Sequence, residues 1–217
     1  MHVGYIVNDQ AKEAINLFQR TTNPDDILHI ILFNACAQIA SKEILPMMEN
    51  ISENIPKSFY RNEQMLNSTI DAFMKCHSVQ RAESIFNETK NPSREMINVM
   101  MKGYIVNHQA KKAIDFFKRA KNPDAILYNL FFNACAQVGS KEILPVIENI
   151  WKKLPEQFHR NKYILTSIMS AFMKSNGVER AESILKQTKN PPIEMINTMM
   201  KGKIVTPFLL RSFHIFF

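Results

Sequence analysis

The chain has 217 residues, 46% of them hydrophobic, and a formal net charge of +7 at pH 7. Five glycines and ten prolines exclude a collagen-like or low-complexity chain. The three cysteines, Cys36, Cys76 and Cys135, form no CxxC pair, which argues against a disulfide scaffold or a zinc site and favours a reducing compartment. The positive charge favours an anionic partner, and no apolar run approaches the roughly 20 residues of a membrane helix.

An internal duplication is the strongest feature of the sequence. The segment GYIVNDQAKEAI from Gly4 recurs as GYIVNHQAKKAI from Gly103, and FNACAQIASKEILP from Phe33 recurs as FNACAQVGSKEILP from Phe132. The offset is 99 residues in both cases, and more than half of the 99 positions are identical between the copies. Self-similarity at a fixed period predicts a repeat architecture.

Asn-Pro pairs divide each copy again, at positions 23–24, 91–92, 122–123 and 190–191. Because proline disfavours helix in the residue before it, each pair is expected to end a helix. In chain order the predicted modules are a partial repeat 1–25, a long repeat 26–62, short repeats 63–93 and 94–124, a long repeat 125–161, a short repeat 162–192, a partial repeat 193–205 and a non-repeat tail 206–217.

Each module is predicted to be two helices. In 94–124 these are REMINVMMKGYIV and QAKKAIDFFKRA, with a bend at Asn107-His108. In 125–161 the break is expected at Gly139-Ser140, with Ser140 as N-cap of the second helix. Proline falls inside the second helices of both long modules, where it either kinks the helix or shifts its start.

Stacked helical hairpins bury apolar faces that one hairpin leaves exposed, so the predicted fold is an all-α, right-handed α-solenoid of helix-turn-helix repeats. Cys36 and Cys135, both in NACAQ, are expected to be small packing residues. The phenylalanines at helical spacing are expected to form the core: Phe33, Phe73, Phe117, Phe132 and Phe172.

The segment MINVMMKGYIVNHQAKKAIDFFKRAKNPD resembles a pentatricopeptide repeat. That family places a hydrophobic-Asn pair early in the first helix, an Ala-aliphatic-x-x-Phe run in the second helix and Pro-Asp at the end. The module lengths resemble the subclass that alternates short and long repeats. The resemblance covers nearly all of residues 1–205 and is closer than any to tetratricopeptide repeats.

The resemblance implies a single-stranded RNA partner, read at about one base per repeat. It further implies a role in organellar RNA processing, editing or stability, in a mitochondrion or another organelle. No cofactor, membrane partner or small-molecule substrate is expected. The zinc deaminase signature, a P-loop, GxGxxG and GxSxG are all missing from the sequence, so a non-enzyme is predicted.

By the same resemblance, the fifth residue of the first helix and the last residue of the module contact one base edge. The implied base-contacting residues are Asn67 with Ser93, Asn98 with Asp124, Asn129 with Asn161, Thr166, and Asn197 of the incomplete last module. Asn with Asp resembles the family's uracil pair, because an amide and a carboxylate can meet the donor and acceptors of uracil. Ile30, paired with Asn62, and Pro192, paired with Thr166, depart from the pattern.

The second position of a module is implied to stack on or wedge between bases. Ile27, Ile126 and Tyr163 suit that role, whereas Gln64, Glu95 and Glu194 do not, because a carboxylate near phosphates is unfavourable. Implied phosphate contacts come from lysines at the thirteenth position, Lys75 and Lys174, and at the ninth, Lys102 and Lys201.

Simpler interpretations stand beside these. Asp25 and Asp124 precede helices, so a plain N-cap role is an alternative. Asn98, Asn129 and Asn197 could bridge neighbouring first helices by hydrogen bonds. For the whole chain, the alternative function is a protein-interaction scaffold of the helical-repeat type.

The ends of the chain lie outside the repeat pattern. Met1 falls inside a first helix, and TPFLLRSFHIFF from Thr206 matches nothing upstream. The expectation is a fragment of a longer array, in which no targeting peptide is visible. The alternative is that the tail is a hydrophobic cap for the last helix.

Overall fold

The computed structural model describes residues 10–56, 58 and 61–205, with only the backbone of residues 202–205. The described residues form twelve α-helices and contain no strand. In chain order they are α1 Ala11–Gln19, α2 Asp26–Ile39, α3 Leu45–Asn54, α4 Glu63–Lys75, α5 Val79–Glu88, α6 Arg94–Val106, α7 Ala110–Phe117, α8 Ala125–Val138, α9 Leu144–Lys152, α10 Lys162–Lys174, α11 Val178–Gln187 and α12 Ile193–Val205.

The internal duplication reappears in the positions of the helix ends. The pairs α2 and α8, α4 and α10, α5 and α11, and α6 and α12 begin and end 99 residues apart. The predicted first helix REMINVMMKGYIV is α6, and its bend is confirmed, since Asn107 ends the helix and His108 has a φ of 57°.

The chain divides into two compact units, residues 1–109 and 110–217. In unit 1 the first helices α2, α4 and α6 pack side by side, with α1 against α2 and α5 against α4 and α6. In unit 2 the helices α8, α10 and α12 pack in the same order, with α7 against α8 and α11 against α10 and α12. The all-α helical-repeat fold is therefore confirmed.

The predicted core phenylalanines, which are Phe33, Phe73, Phe117, Phe132 and Phe172, are all buried. In unit 1 the rings of Phe33 and Phe73 lie 6.4 Å apart, joining α2 to α4. Gly103 lets α6 approach α4 closely, because a Cβ there would collide with the Met74 side chain. No helix of the described residues has both the length and the apolar character needed to cross a bilayer.

The prolines of the long modules set where their second helices begin. Pro46 and Pro145 lie in the first turn of α3 and α9, each preceded by a short 3-10 turn, so the start is shifted rather than the helix kinked. Ser41 accepts a hydrogen bond from the Glu43 N–H. Ser140 takes the N-cap position of the 3-10 turn, but its side chain accepts no hydrogen bond from a backbone N–H of that turn. Its hydroxyl instead hydrogen-bonds the Glu142 side chain and lowers the pKa of that carboxyl.

Candidate nucleic-acid interface

An open cleft of about 400 Å³ lies on the first-helix side of unit 2, a volume within the range of ligand sites. Tyr163, Thr166 and Ser170 line it because positions three, four and seven apart share one face of α10. The full lining is Asn129 and Asn133 from α8; Lys162, Tyr163, Thr166, Ser167 and Ser170 from α10; and Pro192, Glu194 and Thr198 from α12 and the turn before it. The cleft is thus mainly amide and hydroxyl, with one exposed aromatic ring.

The predicted stacking residues are all solvent-exposed apolar side chains. Tyr163 is 65% exposed, Ile27 61% and Ile126 57%, although large apolar side chains elsewhere in the chain are mostly buried. The Lys162 ammonium lies 5.1 Å from the centre of the Tyr163 ring, within cation–π distance. The exposed Tyr163 ring therefore lies beside a positive charge.

The predicted last-position residues are N-caps of the next first helix. Ser93 accepts a hydrogen bond from the Met96 N–H at 3.1 Å, and Asp124 accepts one from the Leu127 N–H at 2.9 Å. Asn161 accepts from two N–H groups, those of Tyr163 and Ile164. The N-cap interpretation is confirmed for Asp124, and also for Asp25, which accepts from the Leu28 N–H at 2.8 Å. Capping therefore holds these side chains at the N-terminal ends of the first helices.

The predicted fifth-position residues differ in their surroundings. Asn67 and Asn98 are half-buried, and their Oδ1 atoms are shielded from solvent and accept no hydrogen bond from any described residue. A buried oxygen without a donor costs about 1–3 kcal/mol. Asn129 faces the cleft, the Thr166 hydroxyl at its edge donates to the Lys162 carbonyl at 2.8 Å, and Asn197 is exposed.

The predicted phosphate-binding lysines are not equivalent. Lys75 forms a 2.7 Å ion pair with Asp71, one turn earlier on α4. Lys102, Lys174 and Lys201 are exposed, and Ser170 stands in α10 where Asp71 stands in α4. The charge that Lys75 is expected to offer to a phosphate is therefore already paired within its own helix.

Several cleft residues were not anticipated from the sequence. Asn133 and Thr198 lie one helical turn from Asn129 and Glu194, so the helical period was the signal that would have identified them. Unit 1 holds a second unanticipated contact, because the Nδ2 of Asn62 donates to the Asp26 carboxylate at 2.7 Å. That pair is 36 residues apart in sequence, and no local pattern predicts it.

Comparison with known proteins finds a match to one of the repeats. Residues 95–122, which cover α6 and α7, match the family model of the PPR repeat. The chain is also 30% identical over 94 residues to a pentatricopeptide repeat-containing protein of Arabidopsis thaliana. That alignment covers 41% of this chain and 11% of the Arabidopsis protein, so the chain spans only a small part of the relative that it matches. One repeat of this chain thus matches the PPR repeat model, and it lies within a fold built of helical hairpins.

Proposed function

We propose that this chain binds single-stranded RNA along the first-helix face of its repeats, reading about one base per repeat. The observation that carries the proposal is the cleft of unit 2, where an exposed Tyr163 ring, the Asn129 amide and the Lys162 ammonium lie together. Stacking of a base on an aromatic ring contributes about 1–3 kcal/mol and tolerates every base. The amide supplies one donor and one acceptor for a base edge, and the ammonium a phosphate contact.

The similarity to pentatricopeptide repeat proteins supports the same proposal. We further propose that the role is binding rather than catalysis, in RNA processing, editing or stability within a mitochondrion or another organelle. The short and long modules, at 26–62, 63–93, 94–124, 125–161 and 162–192, are the proposed reading units.

A protein-interaction scaffold is the second candidate function. It is favoured by the exposed carboxylates of Glu95 and Glu194 at the positions where a base would stack. The ion pair between Lys75 and Asp71 also favours the scaffold function, because it reduces the positive charge offered to phosphates.

Selection of the purified chain against randomised single-stranded RNA distinguishes the two functions. The expected result is enrichment of pyrimidines opposite modules 63–93, 94–124 and 125–161, with uracil at the middle one. Asn98→Ala with Asp124→Ala should weaken preference at that one position by about 1–3 kcal/mol. Purines enriched at those positions would reject the base assignment, and no enrichment with a folded chain would favour the scaffold.

A further inference from the structure

The internal duplication provides a matched comparison for every residue of the cleft. Each lining position of unit 2 has an equivalent 99 residues earlier in unit 1, on a helix with equivalent bounds or, for Pro192 and Ser93, in the turn before it. The equivalents are Ile30, Asn34, Glu63, Gln64, Asn67, Ser68, Asp71, Ser93, Glu95 and Val99. Differences between the two sets therefore arise from substitution alone.

The two sets differ in charge. In unit 1 the equivalent positions carry three carboxylates, Glu63, Asp71 and Glu95, and no cation. In unit 2 the cleft carries one cation, Lys162, and one carboxylate, Glu194. Even with Asp71 paired to Lys75, the unit 1 positions are more negative than the cleft of unit 2, so they are less favourable for a polyanion.

The two sets also differ in the groups that could hold a base. The exposed ring of Tyr163 is replaced by Gln64, and the amide of Asn129 by the buried side chain of Ile30. Unit 1 thus lacks, at these two positions, both the stacking surface and one of the base-edge partners.

Carboxylates in unit 1 also engage two groups that would otherwise be open to RNA. The Asp71 carboxylate is ion-paired with Lys75 at 2.7 Å, and the Asp26 carboxylate accepts from the Asn62 amide at 2.7 Å. In unit 2 the equivalents of these two acids are Ser170 and Ala125. The lysine and the cap amide that correspond to Lys75 and Asn62, which are Lys174 and Asn161, therefore face no acid at these positions.

We propose that the two copies have diverged, so that unit 2 holds the stronger RNA-binding surface and Asp26, Glu63 and Asp71 weaken the contact of the equivalent face of unit 1 with RNA. This inference rests on the proposed function. It amounts to a division of labour within the chain, in which unit 2 supplies most of the binding free energy for a polyanion and unit 1 supplies less.

Exchange of the three residues between the copies tests the inference. One variant of the full chain carries Ala125→Asp, Lys162→Glu and Ser170→Asp, and the reciprocal variant carries Asp26→Ala, Glu63→Lys and Asp71→Ser. With a fluorescent oligouridylate, the first variant should bind about tenfold more weakly or worse, and its slope of log affinity against log salt should fall by about 0.7 per lost phosphate contact. The reciprocal variant should bind more tightly with a steeper slope.

A control separates the cleft from overall charge. Lys186→Glu with Lys189→Glu changes the net charge by the same amount as the first variant, at exposed positions in and after the second helix α11. It should retain most of the affinity, and circular dichroism should show that all variants melt like the parent chain.

The possible outcomes separate the inference from the proposed function. If the parent chain binds RNA and the unit 2 variant binds as tightly, or no more weakly than the charge control, the division of labour is overturned while RNA binding stands. If the folded parent chain binds no oligouridylate and selects no RNA from a random pool, the proposed function itself fails and the inference fails with it.

Discussion

At the residue scale, two buried serine hydroxyls test how hydrogen bonding in the core affects stability. The Ser175 hydroxyl is fully buried and has no hydrogen-bond partner among the described residues, whereas the buried Ser167 hydroxyl donates to the Ile164 carbonyl at 3.0 Å. Ser175→Ala should therefore raise the free energy of unfolding by about 1 kcal/mol, because it removes an unsatisfied polar group. Ser175→Cys should do the same, since Cys76 occupies the equivalent position in unit 1.

The matched control for this prediction is Ser167→Ala. It removes a satisfied hydroxyl and should lower the unfolding free energy by about 0.5–1 kcal/mol. Urea denaturation measures both variants, and equal changes in the two would show that the Ser175 hydroxyl is bonded in solution.

The buried thiols predict a loss of stability in alkaline solution. Burial raises the pKa of Cys36 and of Cys135 to about 12, against about 8.5 in an unfolded chain. Between these values the folded state holds the thiol proton more tightly, so the unfolding free energy should fall as the pH rises through this window, by about 1.4 kcal/mol per pH unit for each thiol. Denaturation from pH 8 to 10 should show a flatter decline for Cys135→Ala, and an unchanged slope would contradict this origin.

At the scale of the element, the first helices of the two long modules end in left-handed residues. The φ of Gly139 after α8 is 58°, and that of Ala40 after α2 is 52°. A side chain is unfavourable there, so Gly139→Ala should lower the unfolding free energy by about 1 kcal/mol. Ala40→Gly should raise the melting temperature. Thermal denaturation checks both, and two changes of the same sign would reject this account.

The N-cap residues of the first helices are expected to have two roles, stabilising the helix start and contacting a base. Asp124 caps α8, so Asp124→Ala should cost about 1 kcal/mol of stability. Asp124→Ser keeps a capping oxygen and should retain the melting temperature, yet change the preferred base at that module. If Asp124→Ser preserves both stability and base preference, Asp124 is a structural cap only.

Local sequence patterns predicted most of the elements but not their irregular starts. The helices follow from apolar periodicity and Asn-Pro turns, which depend on neighbouring residues. Pro46 left two alternatives open, a kink or a shifted start, because both relieve the same steric conflict. The missing capping bond of Ser140 has a similar cause: the Glu142 side chain competes with the backbone for one hydroxyl.

At the scale of the whole molecule, the shared face of Asn129, Tyr163 and Thr166 was easier to predict from the sequence than the electrostatic environment of these residues. The exposure of Tyr163 follows from its place on the first helix, and the structure places it in the cleft. The contact between Asp26 and Asn62 depends on how successive helices pack, which the sequence alone does not specify. The Asp71–Lys75 ion pair could be predicted from its four-residue spacing. Its effect on the charge of the first-helix face is seen only by comparison with unit 2, where Ser170 replaces the aspartate.

The central claim is that the first-helix face of unit 2 binds single-stranded RNA, and a salt titration of RNA binding with Tyr163→Ala tests it most directly. The ring is 65% exposed, so its removal should leave the fold intact. The parent chain should bind oligouridylate more weakly as salt rises. Tyr163→Ala should lose about 1–3 kcal/mol of binding free energy with an unchanged salt slope, because the ring carries no charge. Equal affinity of the folded parent and variant would contradict the claim.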